Sequence, residues 1–282
     1  AVMKKEQIDD FTKLNVDFED FDLDIRTSED DHYYMEYKLE KNGTKNPLTW
    51  KDKDGELTLE ESAGGSGSYY ITYDLGIFSK HVDLTQKKDA LNTVILYIPE
   101  KAQLSEAELQ LSDGDLAADQ LLCKEMTLEL LNGDLMLDKG EFEKFDAKLS
   151  DGDLNVKELQ CTDNMQLKSG NGDVTIKKAE LADGQIALSD GDLQMGNSSF
   201  NGDMKINSSC GDVSVEMKNG SAEKTNIYLK AADGDVDTEG LSRGKTDNEE
   251  DTSVYENKAG ASAPTLNVKC SDGDITLTES EK

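Results

Sequence analysis

The sequence predicts an all-β chain: a right-handed parallel β-helix, or β-solenoid, with coils of about 19–20 residues and an irregular β-rich N-terminal cap. Three observations carry this. Gly-Asp pairs recur at a nearly constant interval, apolar residues fall into columns when those pairs are superposed, and the apolar positions alternate within each coil.

The pairs are Gly114-Asp115, Gly133-Asp134, Gly152-Asp153, Gly172-Asp173, Gly191-Asp192, Gly211-Asp212, Gly234-Asp235 and Gly273-Asp274, with successive spacings of 19, 19, 20, 19, 20, 23 and 39. The last spacing is about two periods. One more pair, Gly202-Asp203, is out of phase.

Two residues after the marker glycine stand Leu116, Leu135, Leu154, Val174, Leu193, Val213, Val236 and Ile275. Five before it stand Leu109, Leu128, Ala147, Leu167, Ile186, Ile206, Leu229 and Val268. Alternation with one buried face is the mark of a strand. Each coil therefore reads as strand, tight turn, strand, corner. Glycine supplies turn geometry, and the flanking Asp or Asn can bond its own turn. Columns that match from coil to coil require parallel, in-register stacking.

The solenoid is expected over residues 106–282. A polar stretch at about 242–263 reads as a mobile insertion at a corner, or else as a degenerate coil around Val254 and Tyr255. Residues 1–105 lack the marker but keep β-type alternation, as at Leu14/Val16/Phe18 and Tyr33/Met35/Tyr37. They hold 12 of the 17 aromatic residues and read as a cap that closes strand edges at one end. The run at 63–68 reads as a flexible hairpin loop.

Composition narrows the partners. With 30 basic and 60 acidic residues the net charge is −30, which cannot supply the field a nucleic-acid binder needs. Anionic lipid surfaces are disfavoured for the same reason. No apolar run is long enough for a transmembrane helix. The start, Ala1-Val2-Met3-Lys4-Lys5, reads as the cut edge of a chain that has lost a leader or an anchor, so membrane contact is expected only through such an anchor.

The four cysteines do not read as disulfides. Cys123 and Cys161 share an inward column with Phe142, Leu181 and Phe200. They are two coils apart, roughly 9.6 Å, beyond bridging distance. Cys270 lies in another inward column with Leu111, Leu130, Leu149 and Leu188, and Cys210 replaces a turn Asp. Zinc is not expected, because Cys-x-x-Cys is absent and the only histidines are His32 and His81.

The residues after the marker form a carboxylate column: Asp115, Asp134, Asp153, Asp173, Asp192, Asp212, Asp235 and Asp274. A second column precedes it: Asp113, Asn132, Asp151, Asn171, Asp190, Cys210, Asp233 and Asp272. Like charges about 5 Å apart repel by roughly 0.8 kcal/mol even in bulk water. Backbone N–H groups from the same turn or the next coil would offset this. Calcium held between turns is the alternative, and no other cofactor is expected. Trp50-Lys51-Asp52-Lys53-Asp54-Gly55 to Glu61 matches an EF-hand loop only in part, and Gly240 to Gly244-Lys245-Thr246 is one residue short of a phosphate loop.

Some parallel β-helices cleave polysaccharides with carboxylates and a basic residue. Here the carboxylates follow the repeat, and the only Arg of the repeat part is Arg243. Structural acids are the expectation, and no catalytic residue is assigned.

The pattern resembles a bacterial cell-envelope family of unknown function labelled "putative adhesin", which includes LiaG-like proteins. The resemblance rests on the β-rich start, the segment Thr93-Val94-Ile95-Leu96-Tyr97-Ile98-Pro99, and coils such as Leu149-Ser150-Asp151-Gly152-Asp153-Leu154-Asn155-Val156. It implies a right-handed β-solenoid outside the cytoplasmic membrane, tethered by an N-terminal helix, without enzymatic activity. The first functional reading is a non-enzymatic surface scaffold that meets a protein or glycan. The alternatives are a carbohydrate-active enzyme and an envelope-stress sensing scaffold acting with a membrane partner.

Overall fold

The computed structural model describes residues 1–40, 46–62, 91–241, 244–249 and 252–281. The chain forms a parallel β-solenoid built from two faces that meet at the Gly-Asp turns along one edge and at a bend along the other. Strands β9 (Leu116–Leu130), β10 (Leu135–Asp151), β11 (Leu154–Asn171) and β12 (Val174–Asp190) each run along one face, bend, and return along the other. The bend lies near residue 143 in β10, where exposed Glu143 and Lys144 separate buried Phe142 from buried Phe145. Their rings stack at 4.8 Å inside the corner.

Neighbouring coils pair in register with the offset that the sequence repeat requires. The row Leu116↔Leu135↔Leu154↔Val174↔Leu193 reaches β13 (Leu193–Phe200). Each of these residues is at most 1% exposed. One continuous apolar core runs from Ile8 to Leu277. Burying each large aliphatic side chain contributes about 1.5–3 kcal/mol, so the columns are the main source of cohesion.

Both ends depart from chain order. Toward the N-terminus, β2 (Lys13–Phe18) pairs in parallel with β6 (Glu56–Glu61) on one side and with β8 (Leu104–Leu111) on the other. Likewise β3 (Asp22–Ser28) lies between β7 (Thr93–Pro99) and β9. Residues 13–28 thus form a coil slotted between β6 and β7 on one side and β8 and β9 on the other.

The C-terminal end mirrors this. Strands β20 (Thr265–Asp272) and β21 (Ile275–Glu279) are inserted between β14 (Met204–Cys210) with β15 (Val213–Met217) and β16 (Asn226–Asp233) with β17 (Val236–Asp237). The spacing of 39 is therefore not two successive turns. In space the coil of Gly273 lies between those of Gly211 and Gly234.

Antiparallel strands close both ends, as a solenoid requires to protect its edges. At the first end β1 (Val2–Ile8) pairs with β4 (Tyr33–Lys38), β4 with β7, and β5 (Leu48–Lys53) with β6. At the other, β19 (Thr252–Asn257) pairs with β16, and β18 (Lys245–Glu249) with β19. This corrects the second reading of 242–263: residues 245–249 and 252–257 form an antiparallel hairpin on the sheet edge, inserted in chain order between β17 and β20, and not a stacked coil. Tyr255 is buried and anchors it. The run at 63–68 lies outside the described residues.

Candidate functional site: the Gly-Asp edge

The marker glycine has a steric cause. A Cβ on Gly133 would sit 2.0 Å from the carbonyl oxygen of Gly114, and one on Gly152 would sit 2.2 Å from that of Gly133. The same approach recurs at Gly172, Gly191, Gly211, Gly273 and Gly234. Positive φ is not the common factor: Gly152 is at +136°, but Gly114 and Gly133 lie outside that region and meet the same obstacle. Close backbone stacking is what excludes every side chain there.

That stacking brings each turn within bonding distance of the next. Oδ1 of Asp115 accepts the backbone N–H of Asp134 at 2.9 Å, and the pattern continues through Asp153, Asp173, Asp192 and Asp212 at 2.8–2.9 Å. The spatial order of the coils then takes over. Asp274 donates to Asp212, and Asp235 donates to Asp274. All eight expected carboxylates lie on one edge.

A ninth member precedes them. Asp22 Oδ1 accepts the N–H of Asp115 at 2.9 Å. The sequence carried a signal for it: Asp22-Leu23-Asp24-Ile25 repeats the Asp and its two apolar positions, but Phe21 replaces the marker glycine. One coil further out, Glu61 performs the same task with a longer side chain. Its Oε2 accepts the N–H groups of Glu19, Asp20 and Phe21 at 2.8, 2.7 and 3.2 Å.

The out-of-phase pair is explained as well. Gly202-Asp203 lies at the opposite corner, where Asp203 N–H donates to Asp183 at 2.7 Å and Thr265 N–H donates to Asp203 at 3.1 Å.

The column before the marker manages its charge by alternation. Asn132 Nδ2 donates to Asp113 at 2.5 Å and Asn171 Nδ2 to Asp151 at 2.6 Å. Cys210 then stands between Asp190 and Asp272. Desolvation and those two carboxylates push its thiol up. Cys123, Cys161 and Cys270 are buried free thiols, and burial holds Cys123 at about 12.

In the ladder proper, burial raises the Asp134 carboxyl, the Asp153 N–H lowers it, and the Asp115 charge raises it again. Asp115, Asp134 and Asp153 are partly buried, whereas the ladder from Asp173 onward is exposed.

The partial motifs resolve into strands. The EF-hand-like segment is the β5–β6 hairpin, whose turn residues Asp54 (φ 56°) and Gly55 (φ 78°) have the paired positive φ of a tight two-residue connection. Lys245 and Thr246 of the phosphate-loop-like stretch lie in β18, not at a helix N-terminus. Arg243 and His81 lie outside the described residues. Tyr33 is packed on Phe11, while Tyr34 bonds to exposed Asp30. Among the described residues, no group of three or more His, Cys, Asp or Glu side chains is placed to hold a metal ion. No described helix is long and apolar enough to cross a membrane.

The Toastrack DUF4097 family model matches residues 11–278, nearly the whole coil stack and both of its ends. The chain belongs to the Toastrack DUF4097 family. Among curated proteins, none matches it. Solved structures similar to this Toastrack chain include a protein titled "putative adhesin" from Parabacteroides merdae, at 16% identity and a TM-score of 0.52, covering 99% of this chain and 95% of that one. Another with that title, from Bacteroides fragilis, has 10% identity, a TM-score of 0.43 and coverage of 99% and 97%. A "putative cell adhesion protein" from Clostridium sporogenes has 17% identity, a TM-score of 0.26 and coverage of 99% and 100%. At 16% identity the likeness to the Parabacteroides merdae protein concerns fold alone.

Proposed function

We propose that this Toastrack protein is a non-enzymatic interaction scaffold on the bacterial cell surface, meeting a protein or glycan partner. One observation carries the reading: its repeated carboxylates are engaged turn by turn with backbone N–H groups. A glycosidase or lyase instead needs carboxylates converging on one bond and able to exchange protons. A carboxylate fixed as an acceptor for its neighbour's backbone stabilises the coil stack and presents an ordered surface. The adhesin name of the Parabacteroides merdae neighbour supports a surface role.

The test is a glycan and surface-protein binding screen run beside a turnover assay on the same polysaccharides. Binding without turnover is the expected result. Turnover abolished by replacing one acidic pair would overturn the reading in favour of a carbohydrate-active enzyme.

A further inference from the structure

In a chain of net charge −30, one stretch of surface carries lysines and amides and no acid. It lies on the outer side of the strands that lead into the Gly-Asp turns, from β11 to β16. Register defines two adjacent columns along the solenoid axis. The first is Lys168↔Ala187↔Asn207↔Lys269↔Lys230. The second is Gln166↔Gln185↔Lys205↔Asn267↔Tyr228. Each side chain alternates with buried core residues and so projects outward, half-buried or exposed.

The preceding coils differ. There Lys144 and Lys148 are paired with Glu125 and Glu129 at 3.2 and 2.7 Å. The ion pairs among the described residues include none to Lys168, Lys205, Lys230 or Lys269. Asp146 and Glu256 mark the two ends of the second column, and Asp183 and Asp203 lie beside it at the corner. Beyond Tyr228 the surface drops into an open recess of about 430 Å³, lined in part by Asn226, Thr265 and the Lys258–Glu256 ion pair at 3.2 Å.

We propose that this face binds an acidic polysaccharide carrying uronate carboxylates, laid along the solenoid axis with one end at the Tyr228 recess. Charge complementarity selects an anion, because four lysines here have no carboxylate paired to them among the described residues. Amides both donate and accept, which suits sugar hydroxyls. The Tyr228 ring offers an apolar platform with a polar tip. Strands about 4.8 Å apart present one side chain per step to a polymer whose sugars advance by a comparable step. A single-stranded nucleic acid would need successive aromatic platforms for its bases, and Tyr228 is the one aromatic residue of these two columns. An acidic protein would find no cluster of apolar anchors in these columns.

The inference rests on the scaffold reading and can fail apart from it. The experiment measures binding of polygalacturonate, its fully methyl-esterified form and polyglutamate to the whole chain and to a K168Q/K205Q/K230Q/K269Q variant. Melting temperature and polymer cleavage are followed in parallel. The expected result is binding of polygalacturonate that weakens at least about tenfold in the variant, and equally with the esterified polymer, at unchanged melting temperature. Y228A should weaken it further without altering its salt dependence. Absence of binding, an unaffected quadruple variant, or equal affinity for polyglutamate would overturn the inference and leave the scaffold reading standing. Cleavage of the polymer would break the scaffold reading instead.

Discussion

The backbone N–H of Asp153 donates to Oδ1 of Asp134 across 2.8 Å, and the two residues belong to adjacent coils. The bond makes each aspartate an acceptor for the next turn, which explains how like charges can be stacked. It also separates two roles of the side chain, oxygen and charge.

Asp134→Asn keeps the oxygen and removes the charge, while Asp134→Ala removes both. Burial raises the Asp134 carboxyl in the native state, with the Asp115 charge adding to the shift against the Asp153 N–H. A raised native value means that the folded form holds the proton more tightly than the unfolded one. That contribution is complete below the ordinary carboxylate range and is lost as pH rises through the native value. At neutral pH, D134N should therefore match or exceed the parent in stability, with the gain growing from about pH 4 to 7. D134A should lose about 1–3 kcal/mol, because the Asp153 N–H loses its acceptor. Urea unfolding of both variants at the two pH values decides it. Equal damage from Asn and Ala would rule out the acceptor role.

Three glycines separate crowding from backbone conformation. Gly55 has φ +78° and open space where a Cβ would stand, with nothing within 4 Å. Gly133 lacks a positive φ but would place its Cβ 2.0 Å from the Gly114 oxygen. Gly152 has both problems. G55A is expected to cost about 1–2 kcal/mol. G133A and G152A should both exceed about 4 kcal/mol, the range reserved for severe disruptions. Chemical unfolding of the three variants is the measurement, and a mild G133A would refute the crowding account.

Calcium supplies a third contrast. The ion takes six to eight oxygen ligands, whereas Oδ1 of Asp173 already accepts the Asp192 N–H at 2.9 Å, and Oδ1 of Asp192 accepts that of Asp212 at 2.8 Å. The expected outcome is the same melting temperature in millimolar CaCl₂ and in NaCl of equal ionic strength, since both salts screen the exposed ladder alike. A rise of several degrees with CaCl₂ alone would reinstate the ladder as a metal site.

The sequence made the coils legible because every coil must satisfy the same local constraints. Gly152 and Asp153 recur for the reasons of close stacking and N–H acceptance, and Leu154 recurs because it faces one core. What it concealed was order. Lys13 to Ser28 and Thr265 to Glu279 satisfy those constraints equally well in any slot of the stack, so alternation cannot reveal which coil lies beside which. Asp22 escaped for a related reason. Its marker neighbour is Phe21, whose carbonyl faces Gly114, and the glycine requirement falls on the later coil of that pair. The lysine and amide columns were equally hidden, since Lys205 and its partner Asn267 are 62 residues apart in sequence and adjacent only through β14–β20 pairing.

That swapped order yields the last prediction. In an ordinary solenoid the final coil is the outermost one, and chain ends open with little free-energy cost. Here Leu266, Val268, Cys270, Ile275 and Leu277 are each at most 2% exposed and are covered by coils on both sides. At about 1.5–3 kcal/mol for each large side chain, their burial is worth on the order of 10 kcal/mol, comparable to the net stability of a whole domain. Amides of β20 should therefore exchange with deuterium as slowly as those of β12, while β18, paired on one side only, exchanges early. Deleting residues 265–282 should release β16 with the β18–β19 hairpin and cause unfolding of that end, not the modest loss expected from trimming a terminal coil. Hydrogen exchange resolved along the chain tests the first statement and limited proteolysis of the truncated protein the second. Fast exchange in β20 would mean that the inserted coil opens as an ordinary chain end.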